Sequence, residues 1–136
     1  MLIGLQKSSV DLACYYIGSI GHSVYCGIIN PADYSPYKTY FAFKSFGLAY
    51  ELSNEFYTES NDEDIYVLGA SDENKSILLL ANTSDDYVTY DFACEKDLSD
   101  AMVIKTDEQF YYTAFDGIIT NNKLTVKPHS ITEIRF

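Results

Sequence analysis

The chain has no tryptophan, three cysteines, three prolines, two histidines and only nine lysines and arginines in 136 residues. Each scarcity excludes something. Twenty acidic residues against those nine cations leave a formal net charge of −11 and a pI near 4.3. Such a surface repels phosphate backbones and anionic lipid, and no run of Lys or Arg along the sequence offers a local exception, so neither nucleic acid nor membrane is expected as a partner. Cys14, Cys26 and Cys94 are odd in number, unrelated in spacing and without a CxxC pair, which argues against a disulfide framework and a zinc site and fits a reducing, cytoplasmic setting. Cys14 and Cys26 lie in apolar runs and are expected as small buried hydrophobes. His22 and His129 are far apart and neither has a second histidine at ligand spacing, so no metal and no cofactor is expected. No window approaches the ~18 apolar residues of a membrane span, and the first residues lack a basic leader followed by an apolar stretch.

Hydrophobic residues make up 47% of the chain, thirteen tyrosines and eight phenylalanines among them, enough for a real core. The character changes near residue 54. Up to that point three cations (Lys7, Lys38, Lys44) balance three acids (Asp11, Asp33, Glu51), so the whole net charge falls on the remainder. A break of this kind predicts two units, residues 1–54 and 55–136.

In the first unit, Val10 to Ile17 is an almost continuous apolar run bounded by Ser8, Ser9 and Gly18, the pattern of a strand covered on both faces. Ser23 to Ile29 predicts a second short extended segment. The period then changes to that of a helix over residues 36–53, with Ser35 as its cap and Pro36 at the first position. Gly47, in the middle of an aromatic stripe, is expected to permit close approach of a neighbour. Asn54 to Asp64 is polar and acidic and reads as a connection.

Short β-like segments follow at Ile65–Ala70, Ser76–Ala81, Tyr87–Phe92, Ala101–Thr106, Phe110–Phe115, Ile118–Thr120 with Lys123–Val126, and Ser130–Phe136. Asn121 and Asn122 supply a two-residue hairpin turn because Asn tolerates positive φ. Tyr87–Phe92 and Ile131–Phe136 alternate, as strands do when one face is buried and the other wet. The predicted fold is mainly β: an antiparallel β-sandwich of about seven or eight strands, preceded by one long α-helix and a remnant βα unit.

Residues Leu5 to Tyr16, then Gly27 to Pro31, then Tyr37 to Phe46, followed by Tyr66 to Ala70 and Ile77 to Asn82, resemble the C-terminal part of family 39-like glycoside hydrolases related to β-xylosidases. The resemblance implies that residues 1–54 correspond to the last strand and helix of a (β/α)8 barrel and residues 55–136 to its accessory sandwich. It further implies that both catalytic glutamates of that retaining family lie upstream of anything in this sequence, so that no residue here inherits either role. Tyr15, Tyr16 and His22 would stand near the barrel mouth as substrate-proximal groups. In relatives the paired tyrosines lead into an aspartate where this chain has Ile17. The expected function is therefore a non-catalytic accessory domain, with an upstream barrel domain or self-association through the apolar helix 36–53 as its partner. A carbohydrate-binding sandwich is the alternative, against which the missing tryptophan counts. The sequons at Asn74 and Asn82 carry no weight by themselves.

Overall fold

The computed structural model describes residues 2–6, 8–14 and 27–136. Among them are two helices, α1 (Leu2–Leu5) and α2 (Lys38–Tyr50), and eight strands. The strands are β1 (Asn54–Phe56), β2 (Ile65–Ser71), β3 (Ser76–Asn82), β4 (Val88–Asp91), β5 (Met102–Thr106), β6 (Thr113–Phe115), β7 (Lys123–Val126) and β8 (Ser130–Arg135). Six of them form one antiparallel sheet in the order β1-β2-β3-β8-β5-β6, while β4 and β7 pair as a separate two-stranded ribbon. The fold is mainly β and sandwich-like, with the helices on the outer face of the larger sheet.

Three layers result because the larger sheet buries both faces. Ile65, Val67, Leu80, Val103 and Ile134 meet Leu124 and Val126 of the ribbon, with Leu98, Ala101 and Ile119 sealing the ends of this core. Leu68, Ala70, Ile77 and Leu79 turn the other way, against Ile3 of α1 and Ala49 and Leu52 at the end of α2. Successive residues of a strand point to opposite faces, so a central strand that is dry on both favours apolar residues at consecutive positions. This accounts for the unbroken run Ile77 to Ala81.

The ribbon has only one dry face and alternates accordingly. Val88 and Tyr90 pack inward, whereas Thr89 bonds Thr125 across the strands at 2.8 Å and Asp91 pairs with Lys123 at 2.7 Å in solvent. Asn121 and Asn122 adopt φ of 52° and 55° in the turn before β7, and the Asn122 carboxamide accepts the buried Leu98 amide at 3.1 Å. By contrast, the alternation read in Ile131–Phe136 does not give a wet face: Thr132, Glu133 and Ile134 are all buried, because β8 lies at the centre of the doubly covered sheet.

Several local expectations are corrected. Val10 to Cys14 forms no strand and is exposed, Leu12 at 81%, since among the described residues no strand pairs with it; residues 15–17 lie outside the described residues. Cys14 is accordingly exposed rather than a buried hydrophobe. Of the segment Ser23 to Ile29, only Gly27 to Ile29 is described, and there Ile29 bridges to Pro36. That bridge holds Pro36 extended, so α2 begins two residues later than expected, with Tyr37 at the cap and no side-chain cap bond. Ser35 instead spends its hydroxyl on Asp33 at 2.7 Å. The acidic connection begins with a strand: β1 pairs with β2, and the Phe56 ring lies across Gly69, where a β-carbon would meet ring atoms at 2.2 Å.

Gly47 gives the sharpest correction. A β-carbon built there meets nothing within 4 Å, so the glycine accommodates no neighbour. Without that role it only weakens the helix, and Gly47→Ala is expected to raise stability by up to about 1 kcal/mol, seen as a higher Tm. Leu79→Ala, at a fully buried site shared by β2, β8 and the helix layer, should cost about 2–5 kcal/mol in the same melting experiment.

Candidate functional site

The chemistry of the described residues concentrates where α2 crosses β5 and β8. Glu133 sits mid-strand in β8, opposite Leu79 of β3 and Ile104 of β5, and is 1% exposed. A carboxylate in that position needs partners, since an unpaired buried charge costs several kcal/mol. Two are supplied. Arg135, two residues along the same face, donates Nε to Glu133 Oε1 at 2.5 Å, and the Tyr112 hydroxyl donates to Oε2 at 3.2 Å. Arg135 closes the ring by donating Nη2 to the Tyr112 oxygen at 2.7 Å.

Tyr112 reaches this position through a backbone that few side chains adopt, with φ of 50°. The cost of that conformation, of order 1 kcal/mol, is offset by what it places. The Tyr112 amide donates to Thr106 Oγ1 at 3.2 Å, its ring stacks on Phe41 at 5.4 Å, and the Lys44 ammonium lies 4.0 Å from the ring centre. Phe41 and Lys44 are three residues apart on α2 and therefore share a face. One turn earlier, Lys38 covers the Tyr111 ring at 4.6 Å and donates to the Glu108 carbonyl at 2.7 Å. The first half of the helix thus clamps the whole β5–β6 connection.

Beside this clamp an open cleft of about 410 Å³ is walled by Lys38, Thr39, Asp107, His129 and Ser130, among others. Its polar groups are committed to holding loops. Asp107, 3% exposed, accepts the Gln109 and Phe110 amides at 2.7 and 2.9 Å; His129 Nε2 meets Asp85 at 2.9 Å; and Ser130 donates to the Lys127 carbonyl at 2.6 Å. Asn82 is 2% exposed and gives its amide hydrogens to the Asp86 and Lys127 carbonyls, which leaves no free nitrogen for a glycan. No group of three or more His, Cys, Asp or Glu able to hold a metal occurs among the described residues.

Tyr15, Tyr16 and His22, the substrate-proximal candidates, all lie outside the described residues. Among the described residues the exposed tyrosines are Tyr34, Tyr40, Tyr50, Tyr57, Tyr66, Tyr87 and Tyr111. Sequence reading missed the Glu133 cluster. Its one available signal was a Glu and an Arg at i and i+2 in the last strand, which place their side chains on one face.

Burial first, and then the Glu133 charge, push the Tyr112 phenol up to about 12. The protonated phenol is favoured in the fold, so its contribution to stability is complete below the unfolded value near 10 and is lost as pH rises from about 10 to 12. Tyr112→Phe should flatten the alkaline fall in stability over that window in urea titrations. At neutral pH the same change should cost about 1–2 kcal/mol by removing a donor from a buried carboxylate. Arg135→Met should cost about 2 kcal/mol, below the full price of stranding a buried charge because Arg135 is itself partly wet. Combining it with Glu133→Leu should recover most of that loss, and a double-mutant cycle reads the difference.

No known family profile matches the chain, and no curated protein matches it. Its fold is similar to that of Xyn30A, a glycoside hydrolase family 30 subfamily 8 xylanase from Clostridium acetobutylicum, with a TM-score of 0.65 and 17% identity over 80% of this chain and 30% of that one. It is also similar to a GH30 endoxylanase from Clostridium papyrosolvens C71, with a TM-score of 0.60 and 21% identity over 79% of this chain and 29% of that one. The chain spans less than a third of either xylanase, and at these identities the likeness is one of fold, a fold found within glycoside hydrolases.

Proposed function

We propose that this chain is a non-catalytic accessory unit of a glycoside hydrolase, a sandwich and flanking helix that seat against a larger catalytic body. The observation that carries this reading is the extent of the fold likeness, which runs over four-fifths of this chain but under a third of each xylanase. The sequence resemblance of residues 5–46 favours a family 39-like parent, whereas the neighbours in fold belong to family 30; the accessory role is common to both readings.

The buried chemistry supports the same role. Retaining glycosidases use two carboxyl groups about 5–5.5 Å apart, one as acid/base and one as nucleophile. Glu133 is the buried carboxylate of the clamp, its two oxygens are taken by Arg135 and Tyr112, and no second carboxylate enters its hydrogen-bond network among the described residues. A group so enclosed holds α2 to the sheet and offers nothing to a glycosidic oxygen. Apolar surface meanwhile faces outward at Val10 and Leu12 ahead of the helix and at Tyr40 and Tyr50 along it, where a partner is needed to remove it from water. The catalytic body would cover it, and a second copy would do so when that body is missing.

Two measurements test this. The purified chain should release no sugar from xylan or aryl xylosides above the blank, and hydrolysis that survives repurification would sink the reading. In sedimentation velocity over a range of concentrations, the chain by itself should pass from monomer to dimer. A strict monomer throughout would remove self-association as the substitute for the missing body.

A further inference from the structure

The cations that the sequence scatters are gathered by the fold. Lys105 on β5 and Lys123 on β7 line one groove, and the charge of Lys127, just beyond β7, is felt by Lys105; these are three of the nine cations in a chain of net charge −11. Lys105 and Lys123 line this groove of about 560 Å³ together with Phe110, Phe115, Thr120 and Thr125, with Ile118 and Leu124 completing the lining. Phe110 and Phe115 meet edge to face at 4.9 Å and give the groove an aromatic corner.

Lys105 is the unusual member. Its ammonium is half-buried and stands 5.7 Å from the Phe115 ring centre, and among the described residues it makes no ion pair. Lys123 is paired with Asp91 and Lys127 donates to Gln109 at 2.9 Å. The nearby Asp107 spends Oδ1 on the Gln109 and Phe110 amides instead of on Lys105. Burial lowers the Lys105 pKa, the Asp107 charge opposes this, and the Lys127 charge lowers it further. An ammonium that is half-dry, crowded by a like charge and without a carboxylate of its own is relieved by an anion from outside.

We propose that this groove binds a carboxylated saccharide, its carboxylate on Lys105 and its ring in the aromatic corner of Phe110 and Phe115. The saccharide class rests on the accessory-unit reading above, while the anionic character rests on the groove alone. Thr120 adds a hydroxyl to the lining, while Lys123 and Thr125, which also line the groove, are already engaged by Asp91 and Thr89, so Lys105 is the cation left for the ligand. The groove lies on the opposite side of the larger sheet from α2, so it stays open when the helix face is covered by a catalytic body. Flat ring faces on aromatic side chains and a charge-assisted bond to lysine together distinguish such a ligand from a neutral glycan.

The test is calorimetric titration of the full chain with tri-galacturonic acid, xylotriose and tetraglutamate, alongside Lys105→Met, which keeps the apolar stem and removes the charge. Binding of the acidic trisaccharide that weakens about tenfold or more in Lys105→Met and is unchanged in Lys75→Gln, a remote exposed lysine, is the expected result. Equal binding of xylotriose overturns the role of charge, and equal binding of tetraglutamate overturns the saccharide. No binding of the acidic trisaccharide overturns the site. Amide shifts on titration should fall on Phe115, Thr120 and Thr125 in the unmodified chain, and shifts confined elsewhere overturn the site even if the variant misfolds. These outcomes are independent of the xylan and sedimentation results, so the groove and the accessory role fail separately.

Discussion

A sheet dry on both faces must satisfy every polar group it contains from within, and this condition governs the molecule. The ribbon β4–β7 covers one side and α2 the other, so the central strands β2 and β3 are largely apolar, while β8 between β3 and β5 carries buried polar groups. Two of the buried polar side chains in these strands, Glu133 and Asn82, are fastening points. Asn82 ties the loops at one end of the sheet, and Glu133 ties β8 to the β5–β6 connection. A buried hydrogen-bonded network of this sort contributes little net energy against an apolar replacement, but it is costly to break and it admits one arrangement of its members.

The clamp and the groove are two consequences of one connection. Residues 107–112 turn tightly between β5 and β6, held by the Asp107 carboxylate accepting two amides. One end of the turn sends Tyr112 toward α2 and Glu133, and its middle sends Phe110 to the opposite side against Phe115. Anchoring the turn to the helix therefore also fixes one wall of the groove, a rigid support of the kind a binding site needs. The fold thus encloses Glu133, paired with Arg135, and leaves Lys105, half-buried, without a carboxylate among the described residues.

Much of the β architecture was legible in the sequence because its signals are local. Asn121 and Asn122 announced a turn with positive φ, the alternation of Tyr87 to Phe92 announced a strand with one wet face, and Ser76 to Ala81 announced a strand. Signals that depend on a neighbour failed. Val10 to Cys14 reads as a buried strand but lies exposed, because apolarity states that a segment can be buried and not that anything is there to bury it. Ser35 reads as a helix cap, yet the bridge between Ile29 and Pro36 holds that residue in the preceding loop. Gly47 reads as a close-approach point and faces open space.

What the sequence determined by itself was a division of character near residue 54, a mainly β second part, and a strongly acidic surface. These follow from composition and short-range periodicity, which need no knowledge of what lies across the fold. Only the tertiary structure decided that Glu133 would be enclosed and paired while Lys105 would be half-buried and left without a carboxylate. Both residues sit in strands with polar and apolar neighbours of the same kind, and nothing local separates them. The difference is set by which layer covers each face: α2 lies over Glu133 and brings Phe41 and Lys44 to bear on its partner Tyr112, whereas the ribbon stops short of Lys105 and leaves a groove.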